Sequence, residues 1–227
     1  MCAFAAETLL AARASLLSFI VHVLSLEREL YMDLASITSL ASETLLQHGS
    51  HLPTLLIEFE GRRAPLRSSL RFFPSKAEQR EEFLYWRGRR MARQHGHRTV
   101  RHVWLVMEAW MNRPEPGMPS VAPSLDPRRE EVLLVLELNA RDFSQAFEGR
   151  KMIRNQAGKL IDLQPLKETM PEADDLQVTG TLLLAFLAGF VEGAPAYQGT
   201  NRRGEILAHI ASQKLRMAGF ITDDPSS

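Results

Sequence analysis

A glutamate lies between two tryptophans in the segment HVWLVMEAWM, residues 102–111, which is the most apolar run in the middle of the chain. A buried carboxylate destabilises a fold by several kcal/mol unless it is paired or protonated. One use for such a group is general acid–base catalysis, because burial raises the pKa of a carboxyl toward neutrality. Glu108 is therefore the first candidate catalytic residue, and its use depends on what lies beside it.

Side-chain alternation places other polar groups on the same sheet face as Glu108, since successive side chains of a strand point to opposite faces. One face of strand 99–111 is apolar, and the other, here the mixed face, carries His102, Trp104, Val106, Glu108 and Trp110. Glu58 and Glu137 fall on this mixed face in two other predicted strands. A hydrolase-like enzyme would use the three carboxylates with His102, whereas a binding protein would present Trp104 and Trp110, because tryptophan is enriched at binding hot spots. In a third interpretation, helices cover the middle of this face and its glutamates pair with arginines.

The segment from residue 62 to residue 101 is basic, with twelve Lys and Arg against three Glu, in a chain that holds 27 residues of each sign. Tyr85 and Trp86 are interleaved there with four candidate binding residues, Arg87, Arg89, Arg90 and Arg93. Such patches contact phosphate groups in nucleic acids. The alternative is a solvated helix face that is balanced by the acidic residues of the sheet.

The arginines form one continuous patch only if the opposite side of their helix faces the sheet. Helical spacing assigns that opposite side to Ala77, Leu84, Gly88 and Met91.

The loop segment PSLDPRREE, residues 123–131, supplies two more candidate binding residues, Asp126 and Arg128. An Asp-Pro pair favours a turn, so a turn with surface charges is the alternative. The segments HGSH, residues 48–51, and HGH, residues 95–97, each lie at a predicted helix end, where His and Gly commonly interact with the last carbonyls. We therefore expect no metal site at either segment.

The pattern of apolar residues, prolines and glycines predicts helices, strands and a long proline-rich loop over residues 112–127. A capping box at Ser75–Glu78 is expected to open the second helix. The predicted elements are a helix ending at Gly49, strands over 52–61 and 66–72, a helix to Gln94, strands over 99–111 and 131–138, a hairpin of 143–153 and 160–163, a polar loop over 164–177, and helices Thr179–Glu192 and Arg203–Phe220.

This order predicts an α+β fold with a mixed or mainly antiparallel sheet of about five strands, helices packed on it, and two C-terminal helices. The sequence that starts at Met32 forms an amphipathic helix pattern by itself and does not need the preceding 31 residues. We therefore expect an N-terminal helical extension over 1–31 outside the core, a single α+β domain over 32–220, and a disordered tail over 221–227.

Composition excludes few classes of function. The net charge is zero and Cys2 is the single cysteine, so an intramolecular disulfide is impossible. No apolar run reaches the ~20 residues that cross a bilayer, so we expect a cytoplasmic protein without a membrane partner. Phosphate-loop, dinucleotide and Cys-zinc motifs are absent, and we expect no cofactor. The leading hypothesis is a binding or accessory protein that contacts a protein or nucleic acid through the mixed face or the basic helix. The alternative is a small hydrolase-like enzyme that uses the carboxylate cluster.

Overall fold

The computed structural model describes residues 32–111, 129–166 and 174–217. The predicted extension over 1–31, the proline-rich loop over 112–127 and the predicted tail over 221–227 lie outside these residues. Within the described part of the chain, no helix is long and apolar enough to cross a membrane.

The described residues form four α-helices, one short 3-10 helix and six strands. The α-helices are α1 (Leu34–His48), α2 (Ala77–His95), α3 (Asp174–Gly193) and α4 (Asn201–Met217), and the 3-10 helix is Pro195–Tyr197. The strands are β1 (Thr54–Phe59), β2 (Leu66–Ser69), β3 (Val100–Met111), β4 (Glu130–Asn139), β5 (Gln145–Arg154) and β6 (Leu160–Pro165).

The six strands form one sheet in the order β2-β1-β3-β4-β5-β6, and every neighbouring pair is antiparallel. The predicted α+β class and the two C-terminal helices are confirmed. The sheet has six strands instead of about five. The strand predicted over 66–72 is shorter than expected and pairs with β1 at one edge as β2, Leu66–Ser69. The predicted polar loop over 164–177 is wrong at both ends, since β6 continues to Pro165 and α3 begins at Asp174.

The apolar face of the sheet packs against three helices. Side chains of β1, β3 and β4 form one hydrophobic cluster with the inner sides of α2, α3 and α4. Fully buried members of this cluster include Leu55, Ile57, Leu105, Leu84 and Phe186. Period-2 alternation therefore fixes which strand residues enter the core, as the sequence predicts.

On the mixed face, α1 packs over β4, β5 and β6. Ile37, Ala41 and Leu45 of α1 are buried, and Trp104 of β3 is completely buried. A helix therefore covers this face over β4, β5 and β6. Trp104 lies in the interior instead of on a surface that a partner can reach.

Local capping explains where α1 begins and ends, and it corrects one prediction for α2. The carboxylate of Asp33 accepts a hydrogen bond from the Ser36 N–H at 2.8 Å, and Gly49 ends α1 in the left-handed region with φ 75°. The predicted capping box at Ser75–Glu78 is wrong, because the N-cap of α2 is Lys76, which makes no side-chain cap hydrogen bond.

Two glycines let α2 and α3 approach at backbone distance. A Cβ added to Gly88 would lie 2.2 Å from the carbonyl oxygen of Phe186, and one added to Gly189 would lie 1.9 Å from the carbonyl oxygen of Tyr85. Only glycine has no side chain to fill this space. The contact fixes which side of α2 faces the interior and hence which side faces outward.

Candidate functional site

The outer side of α2 is set by the burial of its inner side. Leu84, Gly88 and Met91 are buried, as a continuous patch of arginines on the outer side requires. Ala77 is the fourth residue predicted to face the sheet, and its side chain is not among those that the structure describes. Trp86 is 54% exposed.

The four candidate arginines of α2 differ in exposure. Arg90 and Arg93 are exposed, whereas Arg87 and Arg89 are half-buried. Since they follow one another around the outward arc of the helix together with Trp86, they form one basic and aromatic surface.

Two neighbouring clefts open beside α2, and both are lined by Arg87 and Arg90. The smaller, of about 280 Å³, lies between α2 and the edge strand β2 and is also lined by Leu66, Arg67, Ser68, Ser69, Met91, Gln94 and His95. The larger, of about 500 Å³, is also lined by Pro74, Gln79, Glu82, Phe83 and Trp86. Because the clefts share two arginines, we treat them together as the α2–β2 groove.

Arg87 is held in position by the sheet. Its Nη2 donates a hydrogen bond to the hydroxyl oxygen of Ser68 at 2.6 Å, and its Nε is enclosed without a hydrogen-bond partner in the described residues. Burial, and then the positive charge of Arg90, lower the pKa of Arg87. Within the described part of the chain, neither arginine pairs with a carboxylate. Glu82 lines the larger cleft, but among the described residues it forms no ion pair with either arginine.

The flanks of the groove supply an aromatic ring and an imidazole. The guanidinium of Arg89 lies over the Trp86 ring, 5.5 Å from its centroid. His95 lies at the other end, where burial and then Arg62 lower its pKa. A pKa below the ordinary 6.5 keeps this imidazole neutral at pH 7.

On the mixed face, two of the candidate carboxylates converge on one histidine. Nδ1 of His102 lies 3.3 Å from Oε1 of Glu137 and 3.8 Å from Oε2 of Glu58. Arg101 approaches the other oxygen of Glu58, with Nη1 3.4 Å from Oε1. The pairing of Glu58 with His102 across β1 and β3, and of Glu137 with Trp104 across β3 and β4, produces this carboxylate–imidazole cluster.

Glu108 lies apart from this cluster. It stands six positions beyond His102 on the same strand, which corresponds to a distance of about 20 Å. Its Oε1 instead accepts a hydrogen bond from the backbone N–H of His51. The structure thus brings together His102, Glu58 and Glu137. Glu108, the first candidate catalytic residue, is not part of this cluster.

The remaining candidates of the mixed face lie in different surroundings. Trp110 is 46% exposed, and the guanidinium of Arg129 lies 4.4 Å from its ring centroid. Asp126 and Arg128 lie outside the described residues. At the margin, Glu131 pairs with Arg154 at 2.6 Å. Such pairing shows that cations satisfy the carboxylates at this margin.

The two His-Gly segments lie at helix ends, where the sequence places them. α1 ends at His48 before the cap Gly49, and α2 ends at His95 before the cap Gly96. Within residues 32–111, 129–166 and 174–217, no three His, Cys, Asp or Glu side chains are close enough to hold a metal ion.

Sequence reasoning missed the residues that β2 contributes to the groove, namely Arg67, Ser68 and Ser69. Arg67 belongs to the basic segment over 62–101, but nothing in the sequence indicates that an edge strand lies beside α2. Comparison of the whole chain with known family models, curated proteins and solved structures gives no significant match. The proposals below therefore rest on the geometry of the chain itself.

Proposed function

We propose that this chain is a cytoplasmic, non-enzymatic binding protein that contacts nucleic acid through the outer side of α2. The observation that carries the proposal is the pair Arg87 and Arg90, which lines both clefts of the α2–β2 groove without a carboxylate partner among the described residues. A cation pair of this kind is stabilised by an anion, because each charge repels the other until it is neutralised.

The basic helix is a better contact surface than the mixed face. On the mixed face, α1 covers β4, β5 and β6, and Trp104 of β3 is completely buried. On α2, by contrast, Trp86 and Arg90 are exposed on the same outward arc. Phosphate contacts from arginines and stacking on an aromatic ring are the two interactions on which nucleic-acid binding relies.

A salt-dependent titration tests the proposal. Fluorescence anisotropy of labelled oligonucleotides should show binding at ~50 mM salt, and the affinity should fall steeply as salt is added. The double variant Arg87→Ala with Arg90→Ala should lower the log–log salt slope by about 0.7–0.9 for each lost phosphate contact. Circular dichroism checks that the variant is folded.

The control removes the same net charge elsewhere. Arg141 and Arg150 each pair with a glutamate, at 3.1 and 2.5 Å, so the double variant Arg141→Ala with Arg150→Ala should leave the salt slope unchanged. Absence of binding to both single- and double-stranded oligonucleotides at ~50 mM salt contradicts the proposal.

The carboxylate–imidazole cluster supports a second candidate, a hydrolase-like enzyme. Two carboxylates beside one imidazole can orient it for general acid–base catalysis. The cluster lines neither cleft of the groove, and Glu108 is remote from it, so we rank this candidate second. Hydrolysis of a panel of nitrophenyl esters and phosphates that is lost in Glu137→Gln would support it, and no activity above the buffer rate would count against it.

A further inference from the structure

The smaller cleft has the chemistry of a phosphate site. Arg67, Arg87 and Arg90 line it together with the hydroxyl-bearing Ser68 and Ser69, and no carboxylate is among its lining residues. Guanidinium, hydroxyl and backbone N–H groups are the donors that proteins use for phosphate oxygens. A concave site that holds three cations and no anion therefore selects a negatively charged group.

The position of one guanidinium in this cleft is set before any ligand arrives. The hydrogen bond from Arg87 to Ser68 ties it to a residue that is only 7% exposed. Its Nε is enclosed by surrounding atoms and has no hydrogen-bond partner in the described residues, which restricts the guanidinium further. A group held in this way loses little conformational freedom on binding, so the contact is stronger than that of a free surface arginine.

The larger cleft adds an aromatic ring next to the phosphate site. Trp86 lines it and precedes Arg87 in the chain, and Arg87 also lines the smaller cleft. Arg89 lies over the Trp86 ring, and more than half of the tryptophan remains exposed. Exposed aromatic rings beside cationic grooves stack nucleobases, and a volume of about 500 Å³ is within the usual range of ligand sites.

This inference rests on the proposed function and specifies its ligand. We infer that the α2–β2 groove binds single-stranded nucleic acid, with a phosphate at Arg67, Arg87 and Arg90 and an adjacent base stacked on Trp86. A duplex presents its phosphates to the same arginines, but its bases are stacked on each other and their faces are not accessible. A preference for single-stranded over duplex nucleic acid therefore distinguishes this groove from a surface that is only basic.

The test compares a 15-nucleotide thymidine strand with a 15-base-pair duplex at ~50 mM salt. Trp86→Ala should weaken binding to the strand by about 5- to 150-fold, which corresponds to the stacking of one base, and should leave duplex binding nearly unchanged. Trp86→Phe, which keeps an aromatic ring, should restore most of the strand affinity. Binding of the strand should also quench tryptophan fluorescence in the wild-type protein, and Trp86→Phe should remove most of that quenching.

Arg93→Ala is the matched control, because Arg93 is exposed on the same helix but lines neither cleft. It should change strand and duplex affinity by the same factor. Equal losses for strand and duplex in Trp86→Ala would overturn this inference and leave the proposed function standing. If thymidine monophosphate binds as tightly as the strand, the site serves a free nucleotide and the inference is wrong. If neither oligonucleotide binds, the inference and the proposed function both fail.

Discussion

Gly88→Ala perturbs the contact that orients the functional side of α2. The new Cβ would lie 2.2 Å from the Phe186 carbonyl oxygen and 2.8 Å from the Phe190 nitrogen, and both are backbone atoms. Non-bonded carbons pack at about 3.5–4 Å, so α2 and α3 would have to separate by roughly 1 Å. Overpacking of this kind costs ~1–3 kcal/mol, against a helix-propensity gain of ~0.5–1 kcal/mol. We expect a net loss of about 1–2 kcal/mol in the free energy of unfolding.

Gly204→Ala is the control, because the position lies in α4 and a Cβ there meets nothing within 4 Å. Only the propensity gain applies, so this variant should be more stable by about 0.5–1 kcal/mol. Urea denaturation followed by circular dichroism measures both changes, provided that the denaturant slope stays constant. If Gly88→Ala is as stable as Gly204→Ala, the close contact of α2 with α3 is wrong, and so is the outward direction of Trp86 and Arg90.

Four further substitutions test the interior, one tryptophan at the sheet margin and one surface charge by the same denaturation assay. Trp104→Ala should lower the free energy of unfolding by ~3–5 kcal/mol, because the side chain is completely buried. Trp110→Ala should lower it by less than ~1 kcal/mol, because that side chain is half-exposed. Equal losses would place both tryptophans on the surface or both in the core. Tyr197→Phe removes the buried acceptor of the Val100 N–H at 2.9 Å and should cost ~1–3 kcal/mol, and a neutral result would mean that this hydrogen bond is absent. Hydrogen bonds from Thr99 and then Arg141 lower the pKa of Glu60 below 4.5, so Glu60→Gln should cost ~0.2–1 kcal/mol at pH 7. That difference should vanish as the pH falls through the lowered pKa, and a difference that persists there would contradict the pKa shift.

The sequence predicts the sheet well because strand alternation is a local property. The apolar positions of β3 and β4 fall on the core face as predicted, and Gly158 lies in the turn between β5 and β6 with φ 76°. The start of α2 is less predictable, because a capping box requires particular backbone angles as well as particular residues. Ser75 and Glu78 have the right types, yet the chain enters the helix through Lys76.

The candidate site depends on contacts that a single sequence does not display. Trp104 is completely buried, and its position in the strand pattern does not predict this, because burial depends on elements that are distant in the chain. The convergence of Glu58 and Glu137 on His102 depends on the register of three strands, and the same register leaves Glu108 apart. The basic helix is visible in the sequence, whereas the groove beside it requires the packing of β2 against α2.

Chemical-shift mapping by nuclear magnetic resonance tests the central claim most directly. A thymidine strand added to the isotope-labelled 227-residue chain should shift the amide signals of Ser68, Ser69, Arg87 and Arg90 and the indole N–H signal of Trp86. Signals around His102 should stay in place, because the carboxylate–imidazole cluster lines neither cleft. Shifts that concentrate at Trp110 and the mixed face, with β2 and α2 unchanged, would contradict the account.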